Sequence, residues 1–122
     1  VNDSAALVAQ LDTATGLLSF GELTTADSDA QVWAAEMMLA EVSDTISRGA
    51  FIAGPTYVED EVRAVALKSL AKAMDLCRVA RKQLFMWEKR ETAQRISIEV
   101  LRAQEVLRRT EFYVLPRMDS DA

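Results

Sequence analysis

The 122 residues predict an all-α fold: a small helical bundle with a central helical hairpin and a long C-terminal helical region. Three observations carry this. Four Gly and two Pro are too few for a β-protein that must turn about every ten residues. Apolar residues recur at alternating spacings of three and four, the period of one helix face. The stretch from Val58 to Glu111 contains neither Gly nor Pro. Such a length suits one domain, residues 1–116, followed by a flexible tail over 117–122.

The first predicted helix runs from Ser4 to about Thr13. Asp3 or Ser4 can cap it, Leu7, Val8 and Leu11 share a face, and Gly16 can end it in a left-handed turn. Leu17, Leu18 and Phe20 then form a connection tucked onto the body. Ser28-x-x-Gln31 reads as a capping box that opens a second helix over 29–48. Its stripe is Val32, Ala35, Leu39, Val42 and Ile46, Arg48 suits the negative end of its dipole, and Gly49 follows as terminator.

After the loop Ala50–Pro55, Thr56-x-x-Glu59 is a second capping box. Glu59, Asp60 and Glu61 belong to the first turn of a helix over 57–87, where acids suit the positive end of the dipole better than they suggest a metal site. The stripe Ala66, Leu70, Ala73, Cys77, Ala80, Leu84, Trp87 makes Cys77 a small buried hydrophobe. Together with Leu39, Val42 and Ile46, the residues Leu70, Ala73, Cys77 and Leu84 are the predicted core of the hairpin.

Ile96, Val100, Ala103 and Leu107 continue the pattern out of phase. One straight helix would be about 80 Å long, against about 35 Å for a compact chain, so a break near residues 88–95 is predicted. Ile96–Val100 alternates like a strand, but the sequence behind it favours helix. Pro116 closes an apolar segment, Phe112–Leu115, that either folds onto the core or docks on a partner.

Chemistry is constrained by what is missing. The chain has no His, which removes Ser-His-Asp and Cys-His nucleophiles and His-containing metal sites. One Cys forms neither an intrachain disulfide nor a zinc cluster, and it suits a reducing compartment. No phosphate-binding glycine fingerprint, no basic start of a signal peptide and no membrane-spanning run is present. The expectation is no enzyme, no metal and no cofactor.

Charge is sorted along the chain. Residues 1–61 hold 11 acids and one base, and residues 62–122 hold 8 acids and 13 bases, for a net charge of −5. Arg78, Arg81, Lys82, Lys89, Arg90, Arg95 and the arginines beyond are interrupted by Glu88, Glu91, Glu99 and Glu105. That suits salt-bridged helix surfaces better than nucleic-acid recognition. Complementary flanks would suit a subunit that meets its own kind. Glu36, Glu41 and Asp44 are then the candidate acidic contacts, and Arg78, Arg81, Lys82, Lys89 and Arg90 the basic ones. Trp87, Phe112 and Tyr113 are candidate apolar contacts.

The segment Thr24–Met74 resembles the small helical head-to-tail connector (adaptor) proteins of long-tailed bacteriophages. The likeness lies in an Asp-rich start, the Ala-rich helix AEMMLAEVSDTISRGAF, a short loop, and an acidic-start helix with Val62-Arg63-Ala64-Val65-Ala66-Leu67. Residues 75–111 depart from that family, which often has a Gly-containing segment and a short extended piece there. The resemblance implies a structural virion protein, assembled in the host cytoplasm, in a ring of roughly a dozen subunits. Its partners would be the portal protein, a tail-side virion protein and passing DNA bound without sequence specificity, with no membrane. The rival expectation is a soluble cytoplasmic helical-bundle regulatory or interaction protein acting as a dimer.

Overall fold

The computed structural model describes residues 3–52 and 59–114. Four helices and a short ribbon follow in the order α1 (Ser4–Gly16), α2 (Thr25–Arg48), β1 (Ala50–Ile52), α3 (Glu59–Lys82), α4 (Met86–Arg108) and β2 (Glu111–Tyr113). The fold is a small all-α bundle. Helix α3 packs between α2 and α4, and the shorter α1 closes the other side by packing on both. The core is the stripe each helix turns inward, including Leu11, Leu39, Ile46, Leu70, Cys77, Ile96 and Leu107. Leu18 and Phe20 of the α1–α2 connection are buried with them, as the sequence predicts.

Helix ends depart from the sequence reading in instructive ways. α1 continues to Gly16, which is helical, and the left-handed glycine is Gly21 (φ 55°), inside the connection. Asp3 does not cap α1 with its side chain; its carboxylate accepts the Val114 N–H at 2.9 Å and its own N–H donates to the Phe112 carbonyl at 2.7 Å. α2 begins four residues earlier than predicted, capped by Thr24, whose hydroxyl accepts the Asp27 N–H at 3.1 Å. Ser28 is therefore not a cap. It lies buried inside the helix, its hydroxyl 3.7 Å from the Met86 sulfur.

The last carbonyls of α2 are satisfied from α3. The Arg63 guanidinium donates to the carbonyls of Ile46 and Gly49 while pairing with Glu59. Orphan carbonyls at a helix end thus receive charged donors instead of water. Arg63 also lies over the Phe51 ring at 5.5 Å. β1 and β2 pair antiparallel with Phe51 opposite Phe112, ring centroids 4.7 Å apart. The Thr56 capping box, the Ala53–Pro55 part of the loop, Leu115, Pro116 and the tail over 117–122 lie outside the described residues.

The break after α3 falls at Gln83–Phe85, whereas the sequence placed it near 88–95, residues that are helical. The stripe predicts Leu84 in the core, but it sits in the turn and is 81% exposed. The three-four spacing runs on numerically after the helix has stopped. Phe85 is extended (φ −101°, ψ 137°), which resets the phase and leaves Glu91 and Gln94 outside. Residues 96–100 are helical.

Candidate subunit-contact surface

Each helix that faces solvent offers one outer face, set by where its inward stripe points. α2 buries Ser28, Val32, Ala35, Leu39, Val42 and Ile46, so Trp33, Met37, Glu41 and Asp44 project away from the core. α4 buries Lys89, Ala93, Ile96, Val100 and Leu107 among others, so Trp87, Ile98 and Leu101 project outward. These are large apolar side chains in water: Trp33 56%, Met37 51%, Ile98 51% and Leu101 54% exposed. Leu84, Phe85 and Trp87 add an apolar tip at the α3–α4 turn.

The candidate contacts divide into two groups. Glu41, Asp44, Arg78, Lys82, Trp87 and Arg90 are exposed. Among them Asp44 pairs with Arg48 at 2.7 Å, Arg78 with Asp75 at 2.6 Å, and Arg90 donates to the Gly21 carbonyl at 2.7 Å. Tyr113 is half-buried; its hydroxyl donates to Glu111 at 2.8 Å, and that bond raises its pKa.

Lys89 and Phe112 are fully buried and present no contact surface. Lys89 is spent inside the chain, donating to Asp29 and to the Ala80 carbonyl, both at 2.6 Å. A buried ammonium is tolerable only when paired and hydrogen-bonded, and this one holds the start of α4 against the end of α3 and the start of α2. Phe112 is claimed by Phe51. Glu36 and Arg81 are likewise committed inward: Glu36, largely buried, binds Arg81, and Arg78 at 3.2 Å. The acidic amino-terminal half meets the basic carboxyl-terminal half first within one chain, where α2 packs on α3.

Cys77 is buried, and burial pushes its thiol up to about 12, so it stays a neutral hydrophobe as the stripe implied. Two open grooves flank α1. One, of about 430 Å³, is lined by Leu18, Phe20, Arg90, Ala93 and Ile98; the other, of about 390 Å³, by Val8, Asp12, Leu107 and Arg108. Among the described residues no group of three or more potential metal ligands is gathered.

No family model, curated protein or solved structure matches this chain. None of the helices among the described residues is long and apolar enough to cross a membrane. Sequence reasoning missed Trp33, Met37, Ile98 and Leu101 because it followed the inward stripes. The available signal was that Trp33 and Met37, four apart, fall off the stripe of α2, and Ile98 and Leu101, three apart, off that of α4.

Proposed function

We propose that the chain is a structural subunit of a closed ring, a head-to-tail connector that joins a portal to a tail and surrounds the passing DNA. The observation that carries this is the placement of large exposed apolar side chains on more than one side of a bundle whose core is already filled. A module with a single partner needs one such patch; a ring subunit needs two flanks, one for each neighbour. The resemblance of Thr24–Met74 supports the same reading, since that segment includes α2, which carries one of the two flanks. The protein acts by packing, without catalysis. The portal protein and a tail-side virion protein are the partners above and below the ring.

Mass photometry and negative-stain microscopy of the purified chain test this reading. Closed rings of roughly a dozen subunits are expected. A clean dimer at every concentration would replace it with a helical-bundle interaction protein that acts in pairs.

A further inference from the structure

Ring closure requires two different flanks that fit each other. α2 and α4 each pack on α1 and α3 and stand across the bundle from one another. Their outer faces therefore point in opposite directions. Both helices run the same way, because the antiparallel α3 connects them, and they are nearly equal in length at 24 and 23 residues. Their starts are held close together by the 2.6 Å Lys89–Asp29 ion pair and by Ser28 against Met86.

We propose that the outer face of α2 docks on the outer face of α4 of the next copy, with all copies pointing the same way. The proposal rests on the ring reading and names the surfaces that would build it. A rotation about an axis along the helices preserves direction and height. From Asp29, Met37 lies about 12 Å along α2; from Lys89, Ile98 lies about 13 Å along α4. Glu41 and Arg102 follow at about 18 and 20 Å. Apolar side chains thus meet at one height and opposite charges meet one turn beyond.

Charge favours this pairing over a two-fold one. The exposed charges of α2 are Asp27, Glu41 and Asp44 against the single base Arg48. On α4, exposed Arg90, Arg95, Arg102, Arg108 and Arg109 outnumber Glu91 and Glu105. Joining two copies through α2 alone sets acids against acids, and through α4 alone bases against bases. Of these three pairings, α2 against α4 is the complementary one.

The test uses the full chain in sedimentation velocity, with circular dichroism to verify that each variant folds. Met37→Glu and Ile98→Glu, both on exposed positions, are each expected to raise the concentration for half-assembly at least about tenfold. Glu41→Arg and Arg102→Glu should each weaken assembly, and the two together should recover most of it. Under oxidation, Met37→Cys combined with Ile98→Cys should give a ladder of covalent multimers, while Met37→Cys alone should stay uncrosslinked. Rings that form unchanged in the Glu variants, or cross-linking by Met37→Cys alone, would overturn this docking and leave the ring reading in place. A wild-type chain that never exceeds a dimer would overturn both.

Discussion

At Gly49 the backbone is extended (φ −91°, ψ −177°), and a Cβ there would fall 1.9 Å from the Phe112 ring and 2.8 Å from the Tyr113 carbonyl. The glycine is required for room, not for handedness. Because Phe112 is fully buried and the carbonyl belongs to the ribbon, neither can step aside freely. Gly49→Ala should lower stability by about 1–3 kcal/mol in urea denaturation. Cys77 supplies a second test. Its thiol remains protonated in the folded chain up to about 12 but ionises near its ordinary value of 9.0 once unfolded. Above pH 9 the unfolded chain therefore binds fewer protons, and this group's contribution to stability falls by about 1 kcal/mol per pH unit until about pH 12. Denaturation curves of wild type and Cys77→Ala should converge over that range. Curves that stay parallel would mean the thiol is not held neutral by its surroundings.

The helices differ in how plainly their residues announce them. Both stripes of the hairpin were legible, since Val32, Ala35, Leu39, Val42 and Ile46 are all buried, as are Leu70, Ala73 and Cys77. Leu39→Ala and Leu70→Ala should each cost about 2–5 kcal/mol, whereas Leu84→Ala should change stability by less than about 0.5 kcal/mol. Thermal or urea unfolding that ranks them otherwise would mean the helices are phased differently. The turn at Gln83–Phe85 was illegible because no Gly or Pro marks it. It is fastened by Lys89 reaching back to the Ala80 carbonyl and by Thr92 donating to Gln83 at 2.8 Å. Both fastenings join residues nine apart across a turn, and no periodicity encodes them. For the same reason Lys89 read as a surface charge. The sequence favours Ser28 as the cap because Ser28-x-x-Gln31 is the fuller pattern; Thr24 holds that place because Ser28 is buried inside the helix.

At the scale of the whole molecule the sorted charge serves two purposes, and salt separates them. Glu36 with Arg81, and Lys89 with Asp29, are partly or wholly buried and weakly screened, so the fold should tolerate salt. Glu41, Asp44, Arg102 and Arg108 are exposed, and their attraction between copies fades as screening shortens to a few ångströms. Raising salt from about 50 to 500 mM should weaken assembly in sedimentation velocity while leaving the unfolding midpoint nearly unchanged. A linear tally of charge cannot assign an acid to its own chain or to a neighbour. By charge alone Glu36 and Arg81 look like Glu41 and Lys82, although Glu36 and Arg81 pair within the chain and the latter two are exposed to a neighbour. Arg81→Glu is therefore expected to damage the subunit itself, whereas Lys82→Glu acts on its surface alone.

The ribbon that joins Phe51 to Phe112, with Asp3 bonded to its outer strand, has a kinetic consequence. The α2–α3 and α3–α4 hairpins close over short separations. The ribbon must bring together residues some 60 positions apart, at a greater loop-closure entropy. By that criterion it is expected to form after the barrier in refolding and to open before the two hairpins in unfolding. Phe112→Leu should accordingly leave the folding limb of the chevron in place and steepen the rate of unfolding, giving a φ-value near zero. In native-state hydrogen exchange the amides of Phe51, Phe112 and Val114 should exchange faster than those around Leu70 and Val100. The same loosening would release Asp3 and the start of α1 while the three long helices stay folded.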